Sequence, residues 1–162
     1  MRGVVHQVNL KPETPGERGL PKRPVDAAFV GRRGLSGDFN LWRHAERHDD
    51  LDMAILLLPL ETIVQLASEG WTLNPGDVGE NVTTRGVPYG DFGAGRKYRI
   101  GEGIVQISKP CDPCRNLKHL PYVGQERIAA FIQVMNGRRG WYARVLQEGP
   151  VKAKDSIEEV PG

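Results

Sequence analysis

Residues Tyr98–Ser108 read YRIGEGIVQIS, two short runs rich in β-branched and aromatic residues on either side of Gly101-Glu102-Gly103. Such residues favour strands, and glycine tolerates the positive φ that a tight turn demands. Ile100–Ile104 is therefore expected to be the turn of a hairpin between strands Lys97–Ile100 and Ile104–Ser108. Runs of the same kind recur at Gly3–Asn9, Val25–Gly31, Met53–Leu58 and Trp141–Leu146. Between them fall 20 glycines and 12 prolines, with no low-complexity block and no fixed-period repeat, which is the punctuation of a β-rich fold.

Two segments have helical spacing instead. Leu60, Ile63, Val64 and Ala67 follow the i, i+3, i+4, i+7 rule, with Pro59 suited to the opening turn and Gly70 to the position past the end. Ile128, Phe131, Ile132 and Met135 share a second helical face between Gly124 and Asn136-Gly137. Glycine followed by an acid recurs at Gly37-Asp38, Gly76-Asp77, Gly79-Glu80, Gly90-Asp91 and Gly101-Glu102, and turn chemistry accounts for such pairs. The three tryptophans, Trp42, Trp71 and Trp141, would mark an interface if exposed, but partial burial in the core is the expectation for that residue type.

The 162 residues carry 22 Lys+Arg against 20 Asp+Glu, a net charge of +2. That balance offers no general attraction to nucleic acid or membrane, so an anion site must be local. The length fits a single domain, 1–162, able to bury a core without staples. The longest apolar run, Met53–Leu60, falls well short of the roughly 20 residues of a membrane helix. The opening MRGVVHQVNL lacks the apolar centre of a secretory signal, and two cysteines cannot staple a fold of this size, so a reducing cytoplasm is expected.

Both cysteines lie in Lys109–Leu117, KPCDPCRNL. Pro110 and Pro113 fix φ and push Lys109 and Asp112 toward extended backbone, making a stiff loop after the strand. A redox pair fits the CxxC spacing but lacks the βαβ setting of a thioredoxin-like motif. A zinc site has the right ligand types in Cys111, Cys114 and the histidines His6, His44, His48 and His119, but not the spacing of closed sites. Two inert buried thiols fit as well. The fourth reading is one functional thiol, Cys114, followed directly by Arg115, with Cys111 as its bystander.

The order GLPKRPV (Gly19–Val25), GLSGD (Gly34–Asp38), GDVGENVTTRG (Gly76–Gly86), YRIGEGIVQIS and KPCDPCRNL resembles a MOSC domain, the molybdenum cofactor sulfurase C-terminal type, in its short stand-alone bacterial form. The resemblance implies a mainly β fold, an antiparallel barrel similar to the pyruvate kinase barrel domain with a few short helices. It also implies one pocket cysteine, which maps to Cys114. That cysteine would carry sulfur as a persulfide or ligate molybdenum held by a pterin. The sulfur would come from a partner cysteine desulfurase, the holder of any pyridoxal phosphate. A molybdenum-dependent reductase of N-hydroxylated substrates would need a separate electron-donor protein, since the chain has no flavin or nicotinamide fingerprint. Glu80, Asn81, Thr83 and Thr84 of GENVTT are the candidates to line a pocket for the pterin, or molybdopterin, and the alternative for the same stretch is a polar turn that satisfies its own backbone. The phosphate of the pterin would be held by cations among Arg32, Arg33, Arg43, His44, Arg85, Arg96 and Arg115. Leu41–Ala54, LWRHAERHDDLDMA, departs from the His-Gly-Gly segment of many relatives, and His44 is its nearest equivalent. The alternatives are a non-catalytic pterin- or anion-binding module with an incidental thiol, and a small zinc-binding protein.

Overall fold

A computed structural model describes residues 2–40, 43–44 and 47–162. Its strands are β1 (Arg2–Leu10), β2 (Arg23–Val25), β3 (Ala27–Gly31), β4 (Gly34–Leu35), β5 (Ile55–Pro59), β6 (Val82–Arg85), β7 (Lys97–Ile100), β8 (Gly103–Pro110), β9 (Trp141–Gln147), β10 (Gly149–Lys152) and β11 (Ser156–Val160). The helices α1 (Leu60–Ser68) and α2 (Gly124–Met135) form in the two segments with helical spacing, but α1 buries Thr62, Ile63 and Leu66 and leaves Val64 and Ala67 of the expected face exposed.

The expected hairpin forms, with Ile100 paired to Gly103 and Gly101 at φ 59°. A Cβ on Gly101 would stand 2.7 Å from the Pro150 carbonyl oxygen, so the turn needs glycine for space as well as for its dihedral. From this hairpin the sheet runs in the order β11-β7-β8-β9-β5-β6-β1, and pairing of β1 with β11 closes it into a seven-stranded barrel. Closure removes the exposed edges that an open sheet would present. β2 extends β1 outside the ring, and β10-β3-β4 form a separate small sheet.

The barrel is antiparallel except for β5 and β6, which pair in parallel. A parallel pair needs a crossover, and α1 lies within it, between Pro59 and Val82. Pro59 begins the helix and Gly70 follows its end at φ 97°. Val25–Gly31, expected as one strand, is two, because the chain bends at Asp26 and sends β2 to β1 but β3 to β10.

Val5, Val8, Leu57, Tyr98, Ile107 and Ile157 belong to the core inside the barrel. A second core lies between the barrel wall and the helices, where Trp71 packs on Phe131 at 4.8 Å and Arg127 covers the indole at 4.2 Å. Trp141 is half-buried and donates from Nε1 to the Tyr89 carbonyl at 3.1 Å, while Trp42 lies outside the described residues. Among the described residues no helix is long and apolar enough to cross a membrane.

Candidate functional site

The β8–β9 ladder ends with Lys109 opposite Tyr142 and Pro110 opposite Trp141. Cys111 therefore leaves β8 beside the loop that enters β9. Its amide donates to the Gly140 carbonyl at 2.8 Å, tying the cysteine loop to the Arg138-Arg139-Gly140 turn. Gly140 is held again by Tyr89, whose hydroxyl accepts from its amide at 3.0 Å and donates to its carbonyl at 3.2 Å. Its φ is 115°, and a Cβ there would meet the Leu57 carbonyl oxygen at 2.6 Å. Only glycine lets the turn sit this close to β5, and that closeness fixes where Arg139 points.

Beside this junction opens a cavity of about 390 Å³. Its lining includes both thiols, Asp112, Tyr142 and Arg139, with Met53, Leu56 and Val78 as apolar wall. Arg18, Arg47 and Lys109 add cationic side chains from the surrounding loops. The two consecutive arginines behave differently. Arg138 makes a two-pronged pair with Glu69 at 2.6 and 3.1 Å on the surface. Arg139 is buried, and its Nε and Nη1 have no hydrogen-bond partner.

The electrostatics sharpen this contrast. Burial opposes the charge of Arg139, but the guanidinium is held above its ordinary value nonetheless and stays protonated at neutral pH, with the Glu80 carboxyl among the groups that favour its charge. Burial also pushes the Cys111 thiol and the Tyr142 hydroxyl up, so at neutral pH both are uncharged and neither supplies a counter-ion. The site thus carries a desolvated positive charge that an anionic ligand would satisfy.

Cys111 is buried with Met53, Leu56 and Tyr142, and its sulfur lies 3.7 Å from the Asp112 carbonyl oxygen. Cys114 is less buried, in extended backbone at the start of the 3-10 turn Arg115–His119. Both thiols are free. Arg115, expected to be the charge beside the thiol, is exposed and is not among the residues that line the cavity, whereas the buried Arg139 is. The order Arg-Arg-Gly before a strand was the available signal, but nothing in it separates the paired arginine from the unpaired one.

The GENVTT residues occupy a different place. Glu80, Asn81, Thr83 and Thr84 are buried and do not line the cavity, which takes Val78 and Gly79 from the GDVGENVTTRG stretch instead. Glu80 Oε1 accepts from the Gly76 amide at 2.5 Å and from the Thr83 hydroxyl at 3.0 Å. Asn81 accepts from the Leu56 amide at 2.9 Å and donates to Asp38 at 2.8 Å. Asp38 also takes the buried Lys22 ammonium at 2.5 Å. The Gly-Asp and Gly-Glu-Asn motifs therefore meet in one polar network that ties the Lys22–Asp38 region to β5 and β6. VTT is strand rather than turn, since its threonines are buried in the wall between β5 and β1.

Arg32, Arg33, Arg43 and His44 do not line this cavity but a broader depression of about 650 Å³ that shares Asn40 with it. Arg43 donates to the Met53 and Ala54 carbonyls, and His44 pairs with Asp49 at 3.1 Å. Arg85 is exposed, and Arg96 pairs with Glu159. Within the departing Leu41–Ala54 segment, residues 41, 42, 45 and 46 lie outside the described residues. Among the described residues, no group of three or more His, Cys, Asp or Glu gathers as a metal site, so the histidines do not join the thiols.

Known proteins of similar sequence and shape agree with this architecture. The Bacillus subtilis (strain 168) protein YflK is 30% identical over 146 residues, covering 88% of this chain and 63% of YflK. The YiiM protein of Geobacillus stearothermophilus, a crystal structure, superposes with a TM-score of 0.74 at 28% identity over 99% of this chain and 76% of its own. The Bacillus subtilis YuaD crystal structure shares the fold, with a TM-score of 0.82 at 18% identity, covering 97% of this chain and 94% of YuaD. The chain spans less than two thirds of the length of the curated relatives it matches. The family model described as the MOSC domain matches residues 44–158, and with the closed barrel and these relatives it identifies the chain as a member of the MOSC domain family.

Proposed function

We propose that this chain binds an anionic, sulfur-bearing ligand of the molybdenum-cofactor class and acts through Cys114, as a sulfur carrier or as a reductase of N-hydroxylated substrates. The observation that carries the reading is Arg139, a buried guanidinium with two unpartnered nitrogens on a cavity that also holds both thiols. Family membership makes molybdenum-cofactor-related chemistry the natural context.

The residues present suit such a group. Arg139 would hold its anionic part, with Arg18, Arg47 and Lys109 adding positive potential. Thiolate is a soft donor that fits molybdenum, and Cys114 is the more accessible of the two thiols. When bound, the cofactor would supply the two-electron chemistry that the side chains lack. Met53, Leu56 and Val78 would exclude water from one wall, strengthening the Arg139 contact. In the carrier version, a cysteine desulfurase with pyridoxal phosphate delivers sulfur; in the reductase version, a separate protein delivers electrons. Pairing of the first and last strands supports reading 1–162 as one functional domain.

The test is purification from a host that makes the cofactor, followed by quantitation of molybdenum and pterin and by native mass spectrometry for a persulfide on Cys114. One pterin per chain, or one added sulfur on Cys114, is expected, with either lost in Cys114→Ser. Clean protein at saturating cofactor and sulfur supply would overturn the reading. A Cys114→Ser protein that keeps ligand and activity would instead favour the non-catalytic binding module.

A further inference from the structure

We propose that Cys111 is the resolving partner of Cys114, so that the pocket works as a two-thiol device in which sulfur carried on Cys114 is released by disulfide formation. This rests on Cys114 as the reactive thiol and adds a role for the second one. Three observations on one cavity carry it. Both thiols line it and both are free. They differ in access, Cys111 being buried and Cys114 only partly so. The unpartnered Arg139 guanidinium lines the same cavity, a charge for whichever sulfur anion forms there.

The difference in access gives the two thiols an order. A donor from solution meets Cys114 first, whereas Cys111 is enclosed by Met53, Leu56 and Tyr142. Cys111 is therefore screened from large reagents but open to a sulfur already in the pocket. Its position is fixed by the hydrogen bond that its amide donates to the carbonyl of Gly140, whose neighbour is Arg139. Two residues separate the cysteines along a loop stiffened by Pro113, so the bridge would close within one short segment.

Cys114 bears a sulfane sulfur as Cys114–S–S⁻. Sγ of Cys111 bonds to Sγ of Cys114, the bond from Cys114 to the outer sulfur breaks, and that sulfur leaves with the electron pair and the Cys111 proton as hydrosulfide. The two cysteines are oxidised to a disulfide and the sulfane sulfur is reduced. Arg139 stabilises the anion as it departs. A dithiol reductant returns both cysteines to thiols. Peroxide oxidation reaches the same bridge, since a sulfenic acid on Cys114 condenses with the Cys111 thiol and releases water.

The experiment treats the reduced full chain with inorganic polysulfide, or separately with one equivalent of hydrogen peroxide, and follows intact mass, hydrosulfide release and peptide mapping. With polysulfide, the wild type should release one hydrosulfide and lose the mass of two hydrogens, the bridge mapping to Cys111–Cys114. Cys111→Ser should keep the mass of one extra sulfur on Cys114, at least about tenfold longer than the wild type does. With peroxide, the wild type should form the same bridge, while Cys111→Ser stops at an oxidised Cys114. Equal persistence of the extra sulfur in both proteins, or no bridge in either arm, would overturn the proposal. A bridge under peroxide without sulfur uptake from polysulfide would instead sink the carrier reading and leave the resolving role standing.

Discussion

Lys22 and Arg139 are the two buried cations among the described residues, and the molecule treats them in opposite ways. Lys22 is matched on every side: its ammonium donates to Asp38 at 2.5 Å and to the Phe39 carbonyl at 3.3 Å, and Asp38 is held further by Asn81 and the Lys11 amide. Arg139 has two nitrogens with no partner, next to uncharged sulfur and phenol. One charge completes a network inside the protein. The other faces a cavity and is incomplete until something anionic arrives, and this difference separates the scaffold from the site.

The largest effect should come from breaking the matched side. Lys22→Met keeps the volume but strands the Asp38 carboxylate, and removing one partner of a buried pair costs about 3–5 kcal/mol. Chemical denaturation should register the loss in full. If Lys22→Met were as stable as the wild type, the network would not be the scaffold described here.

A comparable but pH-dependent effect belongs to Glu80, in the same network. Burial raises its carboxyl to about 7, against the bonds from Gly76 and Thr83, which pull it down. The folded chain therefore holds a proton that the unfolded chain gives up near its ordinary value of about 4.5. Stability is full below that value and falls as pH rises toward about 7, by about 3 kcal/mol, then levels off. Glu80→Gln, which mimics the protonated form, should flatten this slope when denaturation midpoints are compared from about pH 5 to about pH 8. An unchanged slope would place the titration elsewhere.

The same division governs what the sequence makes legible. Lys97–Ile100 was readable to the residue because its turn, its β-branched flanks and its partner lie within a dozen positions. The helices were readable because apolar residues recur at helical spacing, although in α1 the buried face is Thr62, Ile63 and Leu66 rather than the face that carries Val64 and Ala67. β6 was not, since VTT offers no apolar alternation and its polarity is answered in part by Asn9, distant in the chain. β11 was hidden for a similar reason: its glutamates pair with Arg2 of β1 and with Arg96, just before β7, both distant in the chain. At the site, the cysteine loop announced itself locally through its prolines. Arg139 did not, because its meaning depends on Gly140 packing against β5 and on partners that are missing rather than present.

The smallest stability change, and the most discriminating, is expected at Arg139. Arg139→Met replaces a buried charge whose Nε and Nη1 have no hydrogen-bond partner with an apolar chain of similar length. Removing such a charge should stabilise the ligand-free protein by about 1–2 kcal/mol, where the equivalent change at Lys22 destabilises it. For a chain of this size each kcal/mol is worth about 2–4 °C in Tm. Affinity for an anionic ligand should fall at least about tenfold in the same variant, since a charge-assisted contact of about 1.5 kcal/mol or more is lost. Gain of stability with loss of binding is the signature of a group kept for function at the expense of the fold. If Arg139→Met instead lost stability as Lys22→Met does, Arg139 would belong to the scaffold, and the two buried cations would not differ in kind.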